Sequence, residues 1–310
     1  MPRVHTGELF QGITSAFRAA RLPAKEMAWL RQSCQYQGMN RCCRFNPNTI
    51  SRWARLCNWR LGGVPLQYLI GWQPFGFLKV LCRPNVLIPR WETEEWVYSL
   101  GRSVSKCYQN GTIPSDLTLV DLCTGSGCIP LLLLKMTRNT RIFKTIKAVD
   151  ISQHALNLTK RNLIYNHLHN DSKNTFKTQL GNILNQSELI HPNKIDILTC
   201  NPPYISIETF ESEVEDSVKR YEPHLALIGD LEFYENLVEK WLPHINSFVY
   251  ELGSFKQFHY VKSKIVSHNK THPNDKWGLG IKFDSNGQLR CVFGFKLIMK
   301  NIFQNYGQLI

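Results

Sequence analysis

The sequence predicts an α/β protein: a mostly parallel sheet covered by helices on both faces, with a small helical domain ahead of it. Three observations predict it. From residue 117 onward, strand-length apolar runs alternate with segments of helical period. Two of those runs end abruptly, one in Gly-rich Asp121–Gly127 and one in Asn201-Pro202-Pro203-Tyr204. The first 70 residues instead carry three stretches of helical spacing. At 310 residues, 43% hydrophobic and 11% aromatic, the chain can build a catalytic domain and a smaller one.

Within residues 1–70, the spacing of Leu9, Phe10, Ile13, Phe17 and Ala20 predicts a helix over 7–21. It is Arg-rich and nearly free of acids, so it reads either as a mitochondrial transit helix or as the first helix of the domain. Met27, Leu30 and Cys34 predict a second helix over Ala24–Gln35. Asn46-Pro47-Asn48 reads as a turn before a third helix, Thr49–Arg60, with Ile50, Trp53, Ala54 and Cys57 on one face. This domain is expected to bury Trp29, Trp53 and Trp59.

Residues 71–90 form the connector. Gly62–Gly71 is a hinge punctuated by Gly and Pro, and Pro74–Val80 with Leu81–Leu87 read as a hairpin. Thr93 is the expected cap of a helix over Glu94–Leu100. Arg90 and Glu92 either line a site or form a structural corner.

Residues 91–310 should form the sheet domain. The pattern predicts strands at 117–122, 146–150, 176–180, 194–200, 246–251, 279–284 and 290–296. Helices are expected over 127–136, 152–166, 231–243 and 255–268.

Charge and cysteine content narrow the function. The net charge is +13, yet thirteen Lys and Arg in residues 1–90 face only Glu8 and Glu26, so the basic character is N-terminal. That suggests an organellar address, a partner lying on RNA, or both. Ten scattered cysteines without CxxC pairs read as reduced thiols, and no metal site is expected. No run of 18 apolar residues exists, so no membrane span is expected.

Chemistry sits at the strand ends, where open α/β sheets bind ligands. Cys123, Thr124, Gly125, Ser126 and Gly127 bring backbone N–H groups close to a ligand, because Gly lacks the Cβ that would hold it off. Such a loop fits a dinucleotide, a phosphate or an S-adenosyl group. Asp150 ends the next strand and can accept both hydroxyls of an adenosine ribose. The lack of Gly-Lys-Ser/Thr excludes a P-loop. A dinucleotide oxidoreductase would have no reason to present Asn201–Tyr204 at the fourth strand. That corner suits methylation of a planar amide or exocyclic amine, whose nitrogen lone pair is delocalised. The Asn201 side-chain carbonyl and the Pro202 backbone carbonyl can hold both hydrogens of an –NH2, Pro203 stiffens the turn, and Tyr204 offers a flat wall.

On these residues the chain resembles the HemK/PrmC family of release factor glutamine N5-methyltransferases. The resemblance extends to Val64–Leu69, Leu87–Glu94, Tyr221–Leu227, Tyr250–Gly253 and Asp284–Arg290. It looks closest to the mitochondrial branch. It implies a seven-stranded, Rossmann-like S-adenosylmethionine-dependent methyltransferase domain, a β-hairpin linker and a helical domain that grips the release factor. The implied acceptor is the Gln of the Gly-Gly-Gln motif in a mitochondrial class I peptide chain release factor, with no direct nucleic acid required. Carried over by position, Cys123–Gly127 and Asp150 hold the cofactor, which Asn201 also contacts, and Asn201–Tyr204 hold the glutamine. Cys123 stands where the family usually has Gly, Trp91 where it often has Pro, and Glu92 where it often has Asp. Asn182-Ile183 stand where relatives show an Asp-aromatic pair, and Ile183 offers the cofactor apolar packing only. The competing readings are an adenine N6-methyltransferase on DNA or RNA, which needs base flipping and a basic recognition region, and a non-enzymatic binding module, which needs no intact Asn-Pro-Pro-Tyr.

Overall fold

The structure is a computed structural model, and it describes residues 22–36, 47–138, 140–169, 175–185 and 195–310. The expected 7–21 helix and the Cys42-Cys43 pair lie outside the described residues. The chain divides into two compact units, residues 1–72 with 215–221, and residues 73–214 with 222–310.

In the first unit, helices α1 (Ala24–Tyr36), α2 (Pro47–Leu61) and α3 (Leu66–Ile70) share a core of Leu30, Cys34, Trp53, Leu56 and Cys57. Helix α2 begins at Pro47 rather than after a turn, as Pro is well suited to a first helical position. Arg60 pairs with Glu26 through two hydrogen bonds of 2.7 and 3.1 Å, tying α2 to α1. Only Trp53 of the three expected tryptophans is buried; Trp29 and Trp59 stay half exposed. Residues 215–221 also belong here, and the Tyr221 hydroxyl donates to the Gly62 carbonyl at 3.0 Å.

The hairpin is shorter than expected and displaced: β1 (Trp72–Phe75) and β2 (Leu78–Leu81) turn at Gly76, where φ is +54°, inside the expected first strand Pro74–Val80. Residues 82–90 form no strand. Pro84 lacks an N–H to pair and Asn85 takes a left-handed φ of +67°. Helix α4 (Trp91–Gln109) starts two residues before Thr93, with Arg90 at its cap position. Thr93 is therefore inside the first turn, not at the cap.

The rest alternates as β3 (Leu117–Leu122), α5 (Cys128–Met136), β4 (Phe143–Asp150), α6 (Gln153–Tyr165), β5 (Thr175–Leu180) and β6 (Ile197–Cys200). After α7 (Ile207–Ser212) and α8 (Asp216–Tyr221) come α9 (Glu232–Asn236), β7 (Ser247–Glu251), α10 (Phe255–Thr271), β8 (Trp277–Phe283), β9 (Leu289–Lys296), α11 (Lys300–Phe303) and β10 (Gln308–Leu309). The predicted 231–243 helix is α9 followed by a wide turn, Leu237–Trp241, and a tight one, Leu242–His244.

The sheet order is β10-β8-β9-β7-β6-β3-β4-β5. The five strands from β7 to β5 are parallel, while β8, β9 and β10 pair antiparallel at the other end. All seven expected strands are present, and the two-residue β10 adds an edge. One face packs Trp96 and Leu100 of α4, Leu131–Leu134 of α5 and Phe303 of α11 against Phe143 and Phe293. The other packs Tyr234, Trp241, Phe258 and Val261 against Leu198, Tyr250 and Trp277. β3 and β6 lie side by side at the centre, with Leu122 opposite Cys200. Their carboxyl ends therefore deliver residue 123 and residue 201 to the same place.

Candidate active site

A cavity of about 210 Å³ opens over those strand ends, lined by residues drawn from 85–93, 123–129, 150–155, 181–184, 201–203 and 223–233. It gathers Cys123, Thr124, Gly125, Ser126, Asp150, Asn182, Ile183, Asn201 and Pro203. Gly127, Pro202 and Tyr204 sit beside it and are not part of its lining.

The loop after β3 is held from below. Gly127 caps α5 with φ +79°, and a Cβ there would lie 2.7 Å from Thr159. Thr159 donates to the Gly125 carbonyl at 3.0 Å. Asn162 donates to the Ser126 carbonyl at 2.9 Å and accepts the Leu81 N–H at 2.7 Å, so one buried amide joins loop, α6 and hairpin. Cys123 takes φ +51°, a backbone that suits Gly and costs another residue about 1 kcal/mol. The turn that a Gly would make is thus retained with Cys in it.

Asp150 accepts the Gly125 N–H and the Ser152 N–H, each at 2.8 Å. Burial raises its pKa, and those N–H groups together with Ile151's oppose the rise. Each carboxylate oxygen keeps a second lone pair for a ligand hydroxyl. Behind the loop, Asp121 is fully buried. Its Oδ1 accepts the Thr199 hydroxyl at 2.7 Å, while Oδ2 has no hydrogen-bond partner. Burial pushes its pKa up to about 7, opposed by the nearby Thr124 and Thr199 hydroxyls, of which Thr199 makes the hydrogen bond and Thr124 Oγ1 is left without one. Two buried carboxyls raised by desolvation, one with an orphaned oxygen, match a ligand that carries positive charge. The residues present therefore fit a cationic, ribose-bearing cofactor. Asn182 spends its side-chain carbonyl locally, accepting the Leu184 N–H at 3.0 Å, and Ile183 is buried in the core while lining the cavity.

The proline corner is clamped on several sides. Ile205 and Ile228 form a bridge, with the Ile205 N–H donating to Leu227 and the Gly229 N–H donating to Ile205, both at 3.0 Å. Gln257 donates to the Tyr204 carbonyl at 3.0 Å. A Cβ on Gly229 would collide with the Pro203 carbonyl oxygen and lie 2.9 Å from the Phe233 ring. Gly229→Ala is expected to cost about 1–3 kcal/mol of stability and to lower turnover with it, as the corner is pushed off its seat; thermal unfolding and initial rates check both.

Residues that sequence reasoning left without a role complete the site. Glu251 ends β7, fully buried, and accepts from Thr93 Oγ1 at 2.8 Å, Trp96 Nε1 at 2.8 Å and the Tyr204 hydroxyl at 3.1 Å. Burial raises its pKa, and these donors and Arg290 oppose the rise. Asn201 Nδ2 donates to Thr93 Oγ1 at 3.3 Å. Glu222 accepts the Ile88 N–H at 3.1 Å and Arg90 Nη2 at 2.8 Å, fixing the 85–90 wall. Arg90 thus lines the cavity and forms the corner at once. Glu92 pairs with Arg290 at 3.4 Å and is not among the lining residues. The signal for Glu251 and Glu222 was a polar residue at an apolar strand end or beside a Pro, which names no partner.

Comparison with known proteins defines the class. A family profile described as N-6 DNA Methylase matches residues 101–253. The N-terminal domain of human METTL16, solved in complex with SAH, shares the fold at a TM-score of 0.51 and 17% identity, covering 89% of this chain and 94% of that one. The fold and the relatives define a methyltransferase. The mitochondrial MRF1 N(5)-glutamine methyltransferase MTQ1 of Saccharomyces cerevisiae is 42% identical over 84% of this chain and 81% of its own length. A release factor glutamine methyltransferase of Flavobacterium psychrophilum is 34% identical over 56% of this chain and 57% of its own. The chain belongs to the release factor N5-glutamine methyltransferase family. The profile match spans only the sheet domain, while the yeast relative matches most of the chain, which favours the glutamine reading over the adenine one.

Proposed function

We propose that the protein transfers a methyl group from S-adenosylmethionine to the side-chain amide nitrogen of the Gln in the Gly-Gly-Gln motif of a mitochondrial class I peptide chain release factor. The observation that carries this reading is that Asn201 and the loop from Cys123 to Ser126 line one cavity, in a chain 42% identical to a mitochondrial glutamine methyltransferase. The Arg-rich first 90 residues support a mitochondrial address.

S-adenosylmethionine, when bound, supplies a methyl group on a positively charged sulfur. Cys123–Gly127, Asp150 and Asn182-Ile183 are the residues proposed to hold it, with Asp121 adding negative charge from behind. The work of the proline corner is orientation. The Asn201 carbonyl and the Pro202 backbone carbonyl accept the two hydrogens of the acceptor amide. That draws its nitrogen from planar toward tetrahedral geometry and exposes its lone pair. Holding the reactants in this way is worth about 7 kcal/mol or more of the barrier. No strong base is needed, since a methylated, positively charged amide nitrogen gives up its proton readily. Tyr204 braces the corner. Residues 1–70 are proposed to grip the release factor, 71–90 to connect, and 91–310 to catalyse.

Incubating the protein with S-adenosylmethionine and an organellar release factor should add one methyl to the Gly-Gly-Gln glutamine, read by peptide mass spectrometry. A release factor that stays unmodified, with methyl appearing on added DNA or RNA instead, overturns the reading.

A further inference from the structure

We infer that Thr93 and Glu251 are positioning residues that set which end of the Asn201 amide faces the cavity; the inference rests on the proposed glutamine-methylating role of Asn201. Hydrogen-bond polarity runs along a chain of three side chains, Glu251, Thr93 and Asn201. The Glu251 carboxyl accepts from Thr93, Trp96 and Tyr204 and donates to none of them. Glu251 Oε2 receives the Thr93 hydroxyl at 2.8 Å, so the single proton of that hydroxyl is committed. Thr93 Oγ1 then has only lone pairs to offer its other neighbour. Asn201 stands there at 3.3 Å and must present Nδ2. With its nitrogen engaged, Asn201 is left with Oδ1 as the free end, an acceptor, which is the polarity an acceptor –NH2 requires. A flipped Asn201 would set its oxygen against the oxygen of Thr93 with no hydrogen between them, and would turn donors toward a substrate that needs acceptors.

The same carboxylate reaches the other side chain of the corner. Glu251 Oε1 accepts the Tyr204 hydroxyl at 3.1 Å, and Trp96 fills the remaining site on Oε2 at 2.8 Å. All three donors converge on Glu251, so the directions of these bonds are set at one carboxyl group. Burial makes the arrangement stiff: Thr93 is 1% exposed and Glu251 1%. Thr93 lies in the first turn of α4 and Glu251 at the end of β7, the strand beside β6, so the orientation of Asn201 at the β6 exit depends on both elements.

The test compares Thr93→Val, which keeps the shape and removes the hydroxyl, with Thr93→Ser, which keeps the hydroxyl, in the full chain with an organellar release factor. Thr93→Val should lower kcat by about 10²-fold, the scale of a misplaced reacting group. Its affinity for S-adenosylmethionine, measured by calorimetry, should stay near that of the wild type. Thr93→Ser should recover most of the rate. If Thr93 works through Asn201, adding Thr93→Val to Asn201→Ala should cost little more than Asn201→Ala alone. Should Thr93→Val fail to fold, Thr93→Ala takes its place in the same cycle. Full turnover in Thr93→Val, equal losses in Val and Ser variants, or additive losses in the double variant would each overturn the inference. A wild-type protein inactive on the release factor would overturn the proposed reaction itself, an outcome distinct from an active wild type with an equally active Thr93→Val.

Discussion

Asn201→Ala should reduce methyl transfer by roughly 10²–10³-fold, the usual loss when one preorganised hydrogen-bonding group is removed from a reacting centre. S-adenosylmethionine should bind the variant nearly as tightly as the wild type. The reason lies in how the site divides its work. The loop proposed to hold the cofactor is fixed by Thr159 and Asn162 from α6 and by Asp150, through bonds that do not involve Asn201. The acceptor amide, in contrast, is proposed to give its two hydrogens to the Asn201 carbonyl and the backbone of the corner. Ala keeps the turn, because Pro202, Pro203, the bridge at Ile205 and the bond from Gln257 remain. Asn201→Asp should be poor as well. It retains an acceptor, but its second oxygen would face Thr93 Oγ1, whose proton is already given to Glu251. Single-turnover rates with saturating cofactor, set beside calorimetric titrations, separate the two quantities. Normal turnover by Asn201→Ala would remove the corner from the chemistry.

The parts of this site that could be read in the sequence are those that punctuate a strand locally. Cys123–Gly127 and Asn201–Tyr204 stop apolar runs with Gly and Pro, and Asp150 closes a strand of its own, so each announces its position within a few residues. The supports could not be read that way. Thr93 and Glu251 are 158 residues apart, and Ile88 and Glu222 are 134 apart. They meet only once β7 is laid beside β6 and the 83–90 segment crosses the strand ends. Thr93 shows the hazard in the other direction. A Thr followed by acids is a good helix cap on local grounds, yet the helix begins at Trp91 and a buried carboxylate takes the hydroxyl. Long-range pairing outweighed a local preference worth about 1 kcal/mol. The second hairpin strand ends early for a similar reason: Leu81–Leu87 has β-forming residues, but Pro84 and the left-handed Asn85 send the backbone along the cavity wall instead.

Asp121→Asn should stabilise the ligand-free protein, and more so as the pH rises. The Asp121 carboxyl is fully buried with one oxygen unpartnered, and burial carries its pKa up to about 7. In the unfolded chain the same group titrates near 3.9. Between those values the folded state holds a proton that the unfolded state has released. Stability therefore falls as pH rises through that window, and the cost is complete above the folded pKa. A span of about three pH units corresponds to at most about 4 kcal/mol at 1.36 kcal/mol per unit. The Asn side chain is neutral at every pH and can still accept the Thr199 hydroxyl, so the variant escapes the penalty. Its advantage in Tm should be several degrees larger at pH 8 than at pH 5, measured by calorimetric unfolding without cofactor. An equal shift at both values would mean that the carboxyl is already ionised at pH 5. The same substitution should weaken S-adenosylmethionine binding, because it removes a negative charge whose desolvation a cationic ligand would offset. An acid kept in the core at a loss of stability, behind a loop built for close backbone approach, is what a binding site for a positively charged cofactor requires.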